Sequence, residues 1–399
     1  MPRRQSASST SVSSSPPSDT PFAAQIIAWQ RQFGRHQLPW QNQTDPYCVW
    51  LSEIMLQQTQ VSTVIPYYYA FLDAFPDVTS LASAASDQVM SLWSGLGYYS
   101  RARNLHRCAQ QVRDQHYGQF PADLDALIDL PGIGRSTAAA IAVFAFGQRE
   151  AILDGNVKRV FCRHFGIDGE LQRTATINKL WSCAERELAR TDPVAYTQGL
   201  MDLGATCCTR SNPSCERCPL AQTCVALASD RVSELPRRRQ RAPLPTRATV
   251  MLVVLRASGP LSASKSEPEV LVCLRPDTGI WPGLLSLPES SLEPLSGVEQ
   301  HLGSAGVHPG GAGVTDAATA AEYKLTTKAI QIPPIVHSFT HYRLNISPLI
   351  VRLSPGLQVN APDSQWLKLS RVASAPLPAP VKKLLLQVAT DNNENNGSG

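Results

Sequence analysis

No run of about 18 uninterrupted apolar residues occurs in the 399-residue sequence, which excludes a membrane-spanning helix. Residues 1–20 lack the apolar segment of a secretory signal. They are rich in Ser, Pro and Arg and read as a disordered tail, with a transit peptide as the other reading, and the polar stretch 391–399 also reads as a disordered tail. An excess of one charge is also missing. The 36 Lys and Arg against 32 Asp and Glu leave a net charge of +4, which permits a nucleic-acid partner without arguing for one. With 43% hydrophobic and 17% charged residues, most of the chain should fold, and its length exceeds the roughly 250–300 residues that one core usually covers.

What is present divides the chain. Across 21–227 apolar residues recur at three and four, in segments 22–33, 48–58, 61–74, 87–93, 101–116, 122–129, 136–146, 154–164, 175–189 and 193–203. Turn signals such as PD, GLG and PGIG separate them, so this part reads as all-α. Residues 228–248 turn Arg- and Pro-rich and read as a basic linker, either simply solvated or lying against DNA phosphate. Beyond it, strand-like runs at Thr249–Arg256, Glu269–Arg275, Leu284–Pro288 and Val336–Leu353, with a closing helix at 380–389, predict a separate α+β domain with a mixed sheet over 249–390.

Of the ten cysteines, Cys48, Cys108, Cys162, Cys183 and Cys273 are scattered and read as small apolar residues. The other five lie between 207 and 224. Without a sign of secretion, such a cluster points to a metal before disulfides. Cys208, Cys215, Cys218 and Cys224 are separated by six, two and five residues, close enough to surround one cofactor. The spacing leaves an iron–sulfur cluster and zinc both open, since each accepts four thiolates. Cys207 is the leftover neighbour.

Leu130-Pro-Gly132-Ile-Gly134-Arg-Ser136 follows one predicted helix and opens another. Its glycines allow a tight turn and close backbone approach, and the next helix start offers N–H groups and partial positive charge to a phosphate. A plain helix–turn–helix corner is the other reading. Asp154, ahead of Gly155-Asn156, could be only a helix N-cap, and Glu53 on a largely apolar helix could simply face solvent.

Taken together, the motifs resemble one family. The cysteine spacing after MDLGATC resembles the [4Fe-4S] loop of the endonuclease III-like DNA glycosylases, and LPGIGRSTA resembles their helix-hairpin-helix. VWLSEIMLQQTQV (49–61), LPW (38–40), WSGLGYYSRARNLH (93–106) and ILDGNVKRV (152–160) narrow the resemblance to the MutY family of adenine glycosylases, through nearly all of 22–227. The resemblance implies a multidomain architecture: an all-α helix-hairpin-helix glycosylase domain with an iron–sulfur loop, followed by an α+β Nudix-like domain. It implies a [4Fe-4S] cluster on Cys208, Cys215, Cys218 and Cys224, with Arg210 and Arg217 of that loop turned to DNA.

The implied activity is release of adenine paired with 8-oxoguanine or G in double-stranded DNA, by a monomer with no membrane attachment. Its compartment would be the cytoplasm of a bacterium, or a nucleus or organelle in a eukaryote. Glu53 would be the general acid that protonates adenine N7, and Asp154 the ionised carboxylate that stabilises the oxocarbenium-like sugar. Ser136 stands where strand-nicking relatives carry a Schiff-base Lys, so little lyase activity is expected, with Lys158 the nearest other amine. The base must first leave the stack. Gln57, Gln58 and Thr59 match the wedge and its contacts to the opposite guanine, Leu96 and Tyr98 match residues inserted at the lesion, and Trp40 and Gln198 match the adenine pocket. Gly132 and Gly134 would hold phosphate, and Asn156 would order water near Asp154.

Phe339-Thr340-His341 resembles the FSH segment of the family's C-terminal domain, which inspects the oxidised guanine, with Thr340 in place of the usual Ser. No GxxxxxE…RExxEE pattern occurs, only TGIWPGLLSLPES over 278–290, so nucleotide hydrolysis is not expected. Residues 291–334 fit the family poorly and receive no role. A mismatch-specific thymine glycosylase or nicking endonuclease on the same scaffold, and a catalytically silent iron–sulfur DNA-binding protein, are the competing readings.

Overall fold

The computed structural model describes residues 19–41, 43–237, 243–257, 267–276, 278–290, 330–339, 341–353 and 363–396. Thr340, residues 238–242 of the basic linker and the stretch 291–329 lie outside them. The helices are α1 (Pro21–Phe33), α2 (Pro46–Leu56), α3 (Val61–Ala74), α4 (Val78–Ser83), α5 (Ser86–Trp93), α6 (Ser100–Gln115), α7 (Leu124–Ile128), α8 (Arg135–Phe146), α9 (Gly155–His164), α10 (Thr174–Arg186), α11 (Pro193–Asp202), α12 (Val225–Ala228) and α13 (Ala379–Asn396). The chain divides into two units, the first Met1–Ile54 with Phe120–Arg239, the second Met55–Gln119 with Gln240–Gly399.

In the first unit, short polar side chains set the helix starts. Thr20 Oγ1 accepts from Ala23 N at 3.2 Å with Pro21 beginning α1, Asp123 accepts from Ala126 N at 3.0 Å, and Asp192 accepts from Ala195 N at 3.0 Å. The buried stripes of α1 (Phe22, Ile26), α9 (Phe161), α10 (Leu180) and α11 (Tyr196, Leu200) form one core. Helices α1 and α11 pack closely because Gly199 has no side chain. A Cβ there would lie 2.7 Å from Ile26 Cγ2.

The second unit holds α3 to α6 and the sheet. Helix α4 was not among the expected segments, because six residues are too few to display a helical period. The PD signal read as a turn is its start, with Asp77 accepting from Ser80 N at 2.7 Å in a capping box. The strands are β1 (Thr246–Ala257), β2 (Pro268–Leu274), β3 (Leu285–Ser286), β4 (Glu289–Ser290), β5 (Ile330–Gln331), β6 (Ile335–Ser338), β7 (Arg343–Arg352) and β8 (Ser364–Lys368). Along β3-β2-β1-β7-β5, β1 and β7 pair in parallel from Thr246↔Arg343 to Leu255↔Arg352 and the other neighbours are antiparallel, so the sheet is mixed.

The single run expected over Val336–Leu353 is instead a hairpin. Strand β6 pairs antiparallel with β7 from Ile335↔Ile346 to Ser338↔Arg343, and Phe339 N donates to Tyr342 O at 2.8 Å across the turn. No Gly, Pro, Asn or Asp stands between Ser338 and Arg343 to mark a turn, which hid it. The run at 284–288 shrinks to the two residues of β3. Among the described residues no helix is long and apolar enough to cross a membrane.

Candidate active site

Glu53 sits on α2 among Trp50, Leu51, Ile54 and Met55, each no more than 2% exposed. Burial first, and then the negative charge of Asp154, push its carboxyl up to about 8. The half-buried Glu53 therefore does not behave as a solvent-facing glutamate. Asp154 is the N-cap of α9: one carboxylate oxygen accepts from Val157 N at 2.7 Å, the other from Asn156 Nδ2 at 3.4 Å. Burial raises its pKa, and the backbone bonds of Val157 and Asn156 with the charges of Arg159 and Lys158 oppose that rise. Burial is the largest of these influences, so the carboxyls of Asp154 and Glu53 are both raised. Ser136, in the first turn of α8, accepts from Leu153 N at 2.9 Å, which joins the hairpin helix to the residue before Asp154.

Asn156 lies between Asp154 and Arg159. Its amide donates to Asp154, and its carbonyl oxygen accepts from Arg159 Nη2 at 2.9 Å. The same guanidinium donates to Gly204 O at 2.6 Å and to Cys208 O at 2.7 Å. A continuous chain of bonds thus runs from Asp154 to the cysteine loop. Gly204 is required for it, since a Cβ would lie 2.5 Å from Asn156 Cβ. A single turn of π-helix over Leu203–Cys207 brings Cys208 N to Leu203 O at 2.6 Å, and so carries the chain from α11 into the loop.

Cys208, Cys215, Cys218 and Cys224 line one recess, together with Cys207, Arg163 and apolar side chains such as Leu227 and Val232. Arg163 closes its floor, donating to Cys208 Sγ at 3.3 Å, to Thr209 O at 2.7 Å and to Leu235 O at 2.9 Å. Among the described residues no group of three or more His, Cys, Asp or Glu is gathered tightly as a site for one metal ion. The donor set is four soft sulfurs around an open recess beside a cationic side chain, which fits a multi-atom anionic cluster. Cys207, 6% exposed, donates to Ser214 O at 3.3 Å.

The two hairpin glycines differ. Gly132 has φ +81°, which a side chain would strain, whereas Gly134 has φ −92° and does not need to be glycine for its conformation. Gly134 caps α8 without a side chain, is exposed, and a Cβ there would meet nothing within 4 Å. That leaves an approach to the first N–H groups of α8.

Gln198 bonds one buried acid, and the turn that carries Trp40 is joined to the same acid through Arg35. Asp202, wholly buried, accepts from Gln198 Nε2 at 2.8 Å, from Arg35 N at 2.8 Å and from Arg35 Nε at 2.7 Å. Gln41 then joins the Trp40 turn to Arg35, donating to Arg35 O at 2.8 Å and accepting from Leu38 N at 3.0 Å. Sequence reasoning missed Arg35 and Asp202. The clue was an aspartate within the apolar run Leu200–Leu203.

The remaining candidates belong to the second unit. Gln58 (φ +59°) and Tyr98 (φ +49°) both hold the left-handed conformation that side chains disfavour. Between their two turns lies Arg101, 8% exposed, which donates to Met55 O at 2.8 Å, Thr59 Oγ1 at 3.0 Å, Gly97 O at 3.2 Å and Leu96 O at 3.3 Å. Its guanidinium also lies over the rings of Trp93 and Tyr98, at 5.2 and 5.5 Å. Burial lowers its pKa to about 10. An arginine in the apolar stripe of Leu105, Cys108 and Val112 was the overlooked signal. Gln57 and Thr59 are half-buried, as is Leu96's neighbour Ser94, whereas Leu96 itself is 5% exposed.

Phe339 packs against Tyr342 at 4.9 Å and His341 at 6.0 Å, and two residues the sequence reading left out, Trp281 and His337, join them at 5.4 and 4.6 Å. Trp281 is itself left-handed at φ +50°.

Residues 51–186 match the family described as HhH-GPD superfamily base excision DNA repair protein, and residues 263–387 match the NUDIX domain. The adenine DNA glycosylase of Buchnera aphidicola subsp. Schizaphis graminum is 31% identical over 368 residues, spanning 91% of this chain and 97% of that one. The adenine DNA glycosylase of Mus musculus is 32% identical over 421 residues, spanning 92% and 77%. A thymine/uracil-DNA glycosylase of Pyrobaculum aerophilum is 35% identical over 205 residues, covering only 51% of this chain and 89% of its own.

Proposed function

Since the chain belongs to the adenine DNA glycosylase family, we propose that it hydrolyses the N-glycosidic bond of adenine mispaired with 8-oxoguanine or G in duplex DNA, and nicks the strand little or not at all. The observation that carries this is the Glu53–Asp154 pair, one carboxyl raised to about 8 by burial and by the other's charge. With adenine extruded from the helix, Glu53 delivers its proton to N7 and makes the base a better leaving group. As C1′–N9 breaks, Asp154 stabilises positive charge at the sugar, held in place by Val157, Asn156 and, through Asn156, Arg159. Water completes the hydrolysis. Ser136 carries no amine, so no Schiff base forms at that position.

Cys208, Cys215, Cys218 and Cys224 hold a [4Fe-4S] cluster in this reading. When bound, it supplies a cross-link that fixes the loop rather than a step of the reaction. Arg210 and Arg217 of that loop, and the backbone at Gly132 and Gly134, meet phosphate. Trp40 and Gln198 line the adenine pocket. Gln57, Gln58, Thr59, Leu96, Tyr98, Phe339, Thr340 and His341 address the opposite base, with Lys158 near the product.

Single-turnover base release from duplexes carrying A opposite 8-oxoguanine, A opposite G and T opposite G tests the proposal. Adenine release from the first two is expected. Processing of T opposite G alone would instead favour the activity named for the Pyrobaculum relative.

A further inference from the structure

The second unit contains a set of polar contacts that the proposed chemistry leaves unused. Arg103 Nη1 on α6 donates to Pro282 O at 2.7 Å. Lys382 Nζ on α13 donates to Ser94 Oγ at 2.9 Å and to Ala373 O at 3.1 Å, and Ser94 Oγ lies 3.4 Å from Leu377 O. Ser91 donates to the Ser374 carbonyl. All but the Lys382–Ala373 bond link the segment 86–103 either to the turn at Pro282 or to the segment 374–382, and that segment is tied to the same turn's strand, since Pro376 O accepts from Leu285 N at 3.0 Å.

The places these bonds join are informative. Ser94 opens the turn that presents Leu96 and Tyr98, and Arg103 follows Tyr98 on the helix anchored by buried Arg101. Pro282 follows Trp281, whose ring packs on Phe339 at 5.4 Å. The Trp281 turn is gripped from its other side by Arg275, which donates to Ile280 O at 2.8 Å and pairs with Glu289 at 2.5 Å. Two loops, one at Leu96–Tyr98 and one around Phe339, are therefore held in one register by side chains that touch neither the paired carboxylates nor each other's tips.

We propose that Arg103 and Lys382 are positioning residues for recognition of the base opposite adenine: through the Trp281 turn they fix Phe339 relative to the Leu96–Tyr98 turn so that both read one oxidised guanine. This rests on the reading of those loops given above. 8-Oxoguanine differs from guanine only by an oxygen at C8 and a hydrogen at N7, so discrimination depends on donors and acceptors placed to within a fraction of an ångström. Loosening the register costs those contacts. Proton delivery from Glu53 and stabilisation by Asp154 do not use them.

The test compares single-turnover adenine release from A:8-oxoguanine and A:G duplexes. The proteins are the unaltered chain, Arg103→Met, Lys382→Met, Arg103→Lys, Phe339→Ala and the double variant Arg103→Met/Phe339→Ala. Each Met variant should lower the A:8-oxoguanine to A:G rate ratio by about tenfold while the A:G rate stays within about twofold. Arg103→Lys, which keeps a donor, should recover most of the ratio. Arg103→Met should add little in the Phe339→Ala background, as expected for residues acting through one loop. An unchanged ratio, equal losses on both duplexes, or full additivity with Phe339→Ala would overturn the inference while leaving the proposed function intact. If the unaltered chain released adenine from neither duplex, the proposed function would fall first and this inference with it.

Discussion

At Glu53, catalytic use and stability pull in opposite directions. A carboxyl raised from 4.5 to about 8 binds its proton more tightly in the folded chain than in the unfolded one. Its favourable contribution is complete below pH 4.5 and is lost as pH rises toward about 8. Glu53→Gln removes the ionisation, so the variant should gain thermal stability over the unaltered chain progressively between pH 5 and pH 8. Paired melting curves across that range measure it, and a constant difference would refute the raised pKa. The same variant should lose nearly all base release, and release by the unaltered chain should decline as pH passes about 8. The sequence could not deliver this alone, because a glutamate on an apolar helix has the same letters whether it faces solvent or a second carboxylate. Resemblance supplied Glu53 and Asp154; the burial that raises both carboxyls depends on packing. Asp202 was only partly legible: its place in an apolar run marks it, but Arg35, its charged partner, is far away in sequence.

At the level of elements, the hairpin offers a clean contrast. Gly132→Ala places a side chain at φ +81° and should cost about 1–2 kcal/mol of stability. Gly134→Ala enters open space at an ordinary φ and should leave the unfolding midpoint within experimental error. If the N–H groups of α8 receive a phosphate, Gly134→Ala should nevertheless weaken binding to damaged and undamaged duplexes alike, because backbone contacts carry no sequence information. Urea denaturation and fluorescence anisotropy separate the two effects, and unaltered affinity in Gly134→Ala would count against a phosphate site there. Gly204→Ala should act at a distance. Its Cβ would press Asn156 and shift the start of α9, lowering base release by about a hundredfold while DNA affinity changes little. Helices were the legible elements, because stripes such as Phe22, Ile26 and Ile27 on α1 repeat within the helix itself. Helix α4 was too short to repeat, and β6 and β7 ran together because no Gly, Pro, Asn or Asp marks the turn between them.

Across the whole molecule, locality in sequence decided what could be foreseen. The four cysteines of the recess lie within one short stretch, so their grouping is written in the sequence, as is the change from helical to strand periodicity past residue 248. The arginines that bind the cysteine loop to the rest of the first unit come from α9, and no spacing announces them. Arg159 and Arg163 are four residues apart, one helical turn, and both reach Cys208. That arrangement makes the loop part of the support for Asp154. If the recess holds the [4Fe-4S] cluster proposed above, oxidation and chelation should abolish its visible absorption and reduce base release by at least tenfold, because Cys208 O and Gly204 O would no longer hold Arg159 in place behind Asn156. Far-ultraviolet circular dichroism should retain most of its helical signal, since the core of Phe22, Ile26, Phe161 and Leu200 is built outside the recess. Arg159→Met with iron intact should reproduce the loss of base release. Full activity in the iron-free protein, or in Arg159→Met, would mean that Val157 and the helix start alone hold Asp154, and that the loop serves DNA binding only.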